Sequence, residues 1–342
     1  LLQTRPLNDK HMKAIIPVAG LGSKLRPHTH TQPKSLIPVA GKPILAHIVD
    51  DLIDQGFTEF IFIIGYLGDK IEKYITNNYP DIKPYFVVQT KGKGTAHAIW
   101  LAQELIHEDD LIFIVFGDTI FKADLAPILE TDYTSLGVKK VDDPREFGVA
   151  ELDEDGSVTK LVEKPSIPKS NLALIGIYKI GNTALFKNSL DYVIDNEIRS
   201  HGEFHLTDVL MEMYKSGEQI STFTVESWFD CGKKDILLDT NAILLKIGDY
   251  KAAVSSNYDN TIIVEPVFIG ENVNVSNSII GPNVSIGDNT TVEYSIIKNS
   301  IIGSYTHLDT ANLDRSVVGN DSLLKGTSLS LNLGDNTEIK IQ

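Results

Sequence analysis

The sequence predicts an α/β protein built on a Rossmann-like, mostly parallel sheet and followed by a left-handed parallel β-helix of hexapeptide repeats. Three observations carry that expectation. Apolar runs of strand length alternate with stretches of helix length as far as Thr134, a glycine-rich turn closes the first run, and an aliphatic residue recurs at six-residue steps from Ile262 onward.

Lys13–Val18 is a short apolar run ending near glycine and reads as the first buried parallel strand. The segment after it carries Pro27, Pro33 and Pro38, so it cannot be one helix and is expected as a long, shaped loop. A helix from Ile44 to Gln55, stopped by Gly56, leads to a strand at Glu59–Ile64, a helix at Asp69–Asn77 and a strand at Tyr85–Gln89. The loop Thr90–Gly94, a helix from Thr95 to Ile106 and a strand at Leu111–Phe116 complete the alternation, which closes on Gly117-Asp118. In such sheets a ligand sits beyond the carboxyl ends of the strands, and Gly20, Gln89 and Asp118 all fall there. After Thr134 the rhythm changes. A hairpin, Gly148–Leu152 with Val158–Val162, turns around Asp155-Gly156, and a strand follows at Leu174–Lys179. A helix containing Leu206–Tyr214, a strand at Thr222–Val225, the segment Trp228–Gly232 and a connecting helix at Asp235–Lys246 end this region.

Beyond Ile262, the pairs Ile269-Gly270, Ile280-Gly281, Ile286-Gly287, Ile302-Gly303 and Val318-Gly319 recur, with Val275 and Val292 between them. Each aliphatic residue is expected to point into a narrow core shared by four or five stacked coils. The domain organisation expected is therefore an expression remnant at 1–11, a catalytic domain at 12–234, a connecting helix and linker at 235–260, and the repeat domain at 261–342. Met12-Lys13-Ala14 reads as the natural start.

Charge narrows the function. With 46 Asp and Glu against 31 Lys and Arg, the net charge of −15 argues against nucleic acid or an anionic membrane as partner. No apolar run is long enough to span a bilayer, and the single Cys231 excludes a disulfide framework, which fits a reducing cytoplasm. Composition alone would put roughly five acids in a window as long as Lys13–Val49. That window holds none, against five Lys and Arg. Within it, Ala19-Gly20-Leu21-Gly22-Ser23 follows the first strand and is followed by Lys24, Arg26 and Lys34. Glycine lets the backbone approach an anion and present its N–H groups, and the cations neutralise charge that amides alone cannot. A dinucleotide fingerprint would need glycine where Leu25 stands, and a nucleoside-triphosphatase P-loop would need a Gly-Lys-Ser/Thr that is absent.

The residues go further than a generic anion cradle. Ala19-Gly20-Leu21-Gly22-Ser23-Lys24-Leu25-Arg26-Pro27, then Thr29, Pro33-Lys34 and Gly41-Lys42-Pro43, resemble the glycine-rich signature of the sugar-1-phosphate nucleotidyltransferases, the NDP-sugar pyrophosphorylases. Gln89 with Gly94-Thr95-Ala96-His97-Ala98, Gly117-Asp118-Thr119-Ile120-Phe121, Phe147-Gly148-Val149, Val162-Glu163-Lys164-Pro165, Leu206-Thr207-Asp208 and Trp228-Phe229-Asp230-Cys231-Gly232 continue the resemblance in the family's order. It runs from Met12 to about Leu245, and a β-helix tail is common in the family.

The resemblance implies attack by a sugar 1-phosphate oxygen on the α-phosphorus of a nucleoside triphosphate, releasing pyrophosphate. A phosphate nucleophile is already ionised, so catalysis is positioning and charge neutralisation. The resemblance implies that the amides of Ala19, Gly20, Leu21, Gly22 and Ser23, with Lys24, hold the triphosphate. It implies that Lys34 and Lys164 bracket the reacting phosphates, and that Asp118 and Asp230 bind Mg²⁺. Gln89 with Gly94 and Thr95 would read the base, while Gly148, Glu163, Lys164 and Ile175 would line the sugar side. The implied partners are a nucleoside triphosphate and a hexose 1-phosphate, and the repeat tail implies a homo-oligomer. The phrases look most like thymidylyltransferases acting on glucose 1-phosphate, with dTTP or UTP as donor. A mannose-1-phosphate guanylyltransferase and a weakly active regulatory NDP-sugar-binding relative remain alternatives. Lys24 stands where the family usually has arginine, which keeps the charge and loses the planar fork, and Arg26 stands two positions on to compensate.

Overall fold

The computed structural model describes residues 11–225, 227–248 and 258–326. Residues 1–10 of the expected remnant, 249–257 of the expected linker and 327–342 of the expected repeat domain lie outside the described residues. The chain forms two compact units. One takes 11–38 and Lys42–Leu237, and the other takes Val39–Gly41 and 238–326.

The first unit is organised on four parallel strands, β1 (Met12–Pro17), β2 (Glu59–Ile64), β3 (Lys83–Val88) and β4 (Leu111–Val115), in the order β3-β2-β1-β4. Helices α1 (Ile44–Asp54), α2 (Gly68–Asn78) and α3 (Thr95–Leu101) connect them. Both faces of β1, β2 and β4 are covered, which is why these three read as apolar runs in the sequence, whereas edge strand β3 is only partly buried. Ile15, Ile61, Ile63, Ile112 and Ile114 join Ala96 and Ile99 of α3 in one core. The intervening Ala14, Ile16, Phe60, Phe62 and Phe113 are buried on the opposite face, where Phe57 meets Phe113 and Phe62 stacks on Phe86, each at 5.6 Å. Helix α3 stops at Leu101, short of the Ile106 expected from sequence, because the Ala102 N–H closes back on Ile99 and a 3-10 turn, Gln103–Leu105, continues the path.

Past β4 the sheet becomes mixed. The new strands are β5 (Thr119–Lys122), β6 (Thr134–Lys140), β7 (Gly148–Leu152), β8 (Val158–Glu163) and β9 (Leu172–Ile180). Strand β9 runs antiparallel to β4, β6 and β7, and β7 with β8 forms the expected hairpin. Helices α4 (Thr183–Asp195) and α5 (Leu206–Lys215) bury Phe186, Leu190, Val193, Val209, Leu210 and Met213 in the same core as Ile15. Neither β6 nor α4 was singled out from sequence. The signal for α4 was present, since Asn182 caps it by accepting the Leu185 N–H at 3.0 Å. Strand β10 (Ile220–Thr224) adds parallel to β6, and β11 (Ser227–Asp230) pairs antiparallel with β5. Helix α6 (Lys234–Ile247) follows.

In the second unit three parallel four-stranded sheets stack as the β-helix expected from the repeats, giving four coils over the described residues. Ile269, Val275, Ile280, Ile286, Val292, Ile297, Ile302 and Leu308 fill its core. The coils are tighter than a strict eighteen-residue triple hexapeptide. Ile262 pairs with Ile279, Ile279 with Ile296, and Ile296 with Asn312, so successive coils take 17, 17 and 16 residues. Asn260, Asn272, Asn277, Asn283, Asn289 and Asn299 turn the corners at positive φ, which asparagine tolerates best after glycine. Several stack directly, Asn260 on Asn277 at 2.9 Å and Asn283 on Asn299 at 2.9 Å. The buried Asn241 Oδ1 accepts from the Ala40 N–H at 2.9 Å and the Ser285 hydroxyl at 2.7 Å.

At the amino ends of β1 and β4 lies a buried ion pair that no sequence pattern announced. Lys13 Nζ meets Asp110 Oδ2 at 2.7 Å and donates to the Leu105 carbonyl, while Asp110 accepts the His107 N–H. Removing one partner would strand the other charge in the core. Lys13→Met is predicted to destabilise the first unit by roughly 3–5 kcal/mol. Both tryptophans, Trp100 and Trp228, lie in that unit, so fluorescence-detected denaturation reports it. A loss below about 1 kcal/mol would show that the pair is already solvated.

Candidate active site

The turn after β1 is shaped by glycine where nothing else fits. Gly22 sits at φ 61°, and a Cβ there would lie 2.9 Å from both the Thr29 and Lys34 side chains. The Thr29 hydroxyl donates to the Gly22 carbonyl at 2.9 Å, and buried Leu25 anchors the 3-10 turn Ser23–Leu25. The loop therefore wraps onto Lys34, and the chain from Ala19 to Ser23 forms one wall of a cleft of about 580 Å³. Gln89, Gly94, Thr95, Lys34 and Asp118 line the same cleft. Gly94 is irreplaceable there, since it lies at φ 107° and a Cβ would fall 2.3 Å from the Phe204 carbonyl.

Asp118 and Asp230 converge because β5 and β11 pair with Thr119 opposite Asp230. The Cys231 N–H, donating to the Asp118 carbonyl at 3.0 Å, closes the same ribbon. The Lys34 ammonium lies directly on Asp118 Oδ2. Burial pushes the Asp230 carboxyl above the usual carboxylate range, the nearby Asp118 charge pushes it the same way, and Lys34 opposes both. The two acids repel each other, and the Lys34 ammonium offsets part of that repulsion. Among the described residues no cluster of three or more His, Cys, Asp or Glu could hold a metal by itself.

A second cleft of about 310 Å³ adjoins the first and shares Thr95, Phe116, Asp118 and Glu203 with it. Gly148, Glu163, Lys164, Ile175 and Asp230 line it. Glu163 is fixed from two sides: the Thr207 hydroxyl donates to Oε2 at 3.0 Å, and His205 Nδ1 lies 3.5 Å from Oε1. Lys164 reaches Glu163 at 3.8 Å from a backbone at φ 40°, a strained value for a residue with a side chain. A Cβ on Gly148 would lie 2.9 Å from Thr207 and 3.2 Å from Glu163 Oε2. A larger residue there would press on both the Thr207 and Glu163 side chains.

The structure thus brings Lys34, Asp118, Asp230, Gln89, Gly94, Thr95, Gly148, Glu163, Lys164 and Ile175 to two adjoining clefts. Lys24 and Arg26 are exposed and line neither cleft. Lys24 instead faces Glu146 at 3.5 Å, whose carboxyl is held below its usual range by the Lys233 hydrogen bond first and the Lys24 charge second. Sequence reading did not single out Glu203, which lines both clefts outside any motif, nor His205 as a support for Glu163. Carboxyl NMR is predicted to find Asp230 titrating above the ordinary aspartate range, and Asp118→Asn to lower it part of the way, burial being the larger cause. No change on that substitution would separate the two carboxylates.

A family model described as nucleotidyl transferase matches residues 13–247. The low-salt glycan biosynthesis nucleotidyltransferase Agl11 of Haloferax volcanii is 34% identical over 259 residues, 73% of this chain and 71% of that protein. The bifunctional protein GlmU of Methanococcus vannielii is 36% identical over 329 residues, 94% of this chain and 74% of its own. The glucose-1-phosphate thymidylyltransferase of Streptomyces antibioticus is 29% identical over 274 residues, 78% of this chain and 75% of its own. The chain belongs to the nucleotidyl transferase family, as its resemblance to the sugar-1-phosphate nucleotidyltransferases implied, and is an enzyme of that class.

Proposed function

We propose that the protein transfers a nucleotidyl group from a nucleoside triphosphate to a hexose 1-phosphate, with glucose 1-phosphate and dTTP or UTP as its substrates. The observation that carries this reading is the pair of adjoining clefts that share Asp118, the larger walled by the glycine loop and Lys34, the smaller by Glu163 and Lys164. The larger has the size and amide-rich wall that a triphosphate and base require. The smaller has the hydroxyl-binding groups that a sugar requires, with one cation for its phosphate.

In this reading the Ala19–Ser23 amides hold the triphosphate, and Lys34 neutralises charge at the α-phosphate. Lys164 steadies the sugar phosphate from the far side, and Glu163 and the Gly148 backbone hold the sugar hydroxyls. Gln89, with Gly94 and Thr95, reads the base. Lys24 and Arg26, at the mouth of the loop, draw the anionic substrate in. A displacement between two held phosphates gains its rate from orientation and from charge stabilisation prepared in advance. Asp118 and Asp230 fit a hard divalent cation, Mg²⁺, because their two neighbouring carboxylates are the oxygen donors such an ion prefers and would hold it beside the phosphates. Bound there, the ion would spread the negative charge of the reacting phosphates. We place the catalytic part at 12–234, assembly of a homo-oligomer in the repeats from 261 onward, and the protein in the cytoplasm. No helix among the described residues is long and apolar enough to cross a membrane.

Pyrophosphate release measured for five nucleotides against glucose, mannose, galactose and N-acetylglucosamine 1-phosphates tests this reading. Release should require both substrates and be fastest for glucose 1-phosphate with dTTP or UTP, and Asp118→Asn should lower kcat by about 100-fold or more. Release without a sugar phosphate, or an Asp118→Asn enzyme within a few-fold of the parent, would overturn it.

A further inference from the structure

A glutamine amide has a donor at one end and an acceptor at the other, so it discriminates between bases only when it is fixed one way round. Here it is fixed. Gln89, nine-tenths buried just beyond β3, donates from Nε2 to the Gly94 carbonyl at 3.3 Å and lies 3.1 Å from His97 Nδ1. A carbonyl oxygen only accepts, so the nitrogen end of the amide must face this side. Its second N–H then needs an acceptor, and His97 Nδ1 is one only in the neutral ring protonated at Nε2. The surroundings favour that neutral form: burial lowers the His97 pKa, and the Lys93 and Arg199 charges lower it further. The ring is held 6.0 Å from Trp100 and 6.4 Å from Phe204, centre to centre. With both amide hydrogens engaged, the group Gln89 has left for the cleft it lines is Oε1, a pure acceptor.

We propose that His97 is a positioning residue that locks the Gln89 amide with its oxygen toward the base, so that the site selects bases carrying a ring imino N–H. Uracil, thymine and guanine carry that hydrogen. Cytosine and adenine present a bare ring nitrogen at the corresponding edge, and an acceptor set against an acceptor leaves both unpaired in a half-enclosed site. The inference rests on the reading of the larger cleft as the nucleotide site.

UTP and CTP differ at this edge alone, so the ratio of their kcat/KM values, measured with the hexose 1-phosphate that turns over fastest, reports the lock. The parent enzyme should prefer UTP. His97→Leu should reduce the preference about tenfold or more, mainly through the nucleotide KM. His97→Asn, whose Oδ1 replaces the Nδ1 acceptor, should recover most of it, and His97→Phe repeats the test if leucine destabilises the chain. A ratio that stays within about twofold in the apolar variants, or falls equally with asparagine, would overturn the proposal. Gln89→Leu separates the two levels. If it leaves the ratio intact, the base-reading role of Gln89 fails; if it abolishes the ratio while His97→Leu does not, only the lock fails.

Discussion

Two carboxylates held together against their own repulsion set the terms for the rest of this site. Asp118 ends the turn after β4, and Asp230 ends β11, 112 positions later in the chain. Only the antiparallel pairing of β5 with β11 makes them neighbours. Their mutual repulsion and the burial of Asp230 must be offset by positive charge, and Lys34, brought in by the glycine loop, supplies part of it. The loop, the ribbon and the central sheet are therefore parts of one electrostatic arrangement. The loop contributes Lys34, the turn after β4 contributes Asp118 and the ribbon contributes Asp230.

Rigidity follows from the same arrangement. Gly22, Gly94 and Gly148 each sit where a single added carbon would crowd a neighbour, the Phe204 backbone at Gly94 and side chains at the other two, so the cleft walls are closely packed at these points. Glu163 is held by Thr207 and His205, and Lys164 is presented from a left-handed backbone that costs energy to maintain. These costs are met by a sheet whose central strands β1, β2 and β4 are buried on both faces, with Ile15, Phe60, Phe62 and Phe113 wholly inaccessible. A displacement that depends on position has need of such walls.

The parts legible in the sequence were those whose chemistry repeats or punctuates. The glycine turn after an apolar run, the Gly117-Asp118 stop at a strand end and the six-residue aliphatic rhythm each have one physical cause, and each survives in the structure. What stayed hidden depends on tertiary partners. The antiparallel entry of β9 beside β4 cannot be read from its apolar run, which would serve either direction. The coils of 17 and 16 residues turn their corners at positive φ with asparagine early on and with Tyr294, Tyr305, Thr310 and Arg315 later, so no single residue type marks the corners in the sequence. Lys13 with Asp110, Glu203 between the clefts and His97 beside Gln89 became meaningful only once the sheet had brought distant or unpatterned side chains together.

The central claim is that the two clefts hold both reacting phosphates at once, so that one displaces pyrophosphate directly from the other and no side chain carries the nucleotidyl group between them. The stereochemical course at the α-phosphorus tests it most directly. With a single diastereomer of the α-thiotriphosphate and the sugar 1-phosphate, the account predicts inversion of configuration in the NDP-sugar, the result of one in-line displacement. Retention, the result of two displacements through a covalent enzyme intermediate, would contradict it.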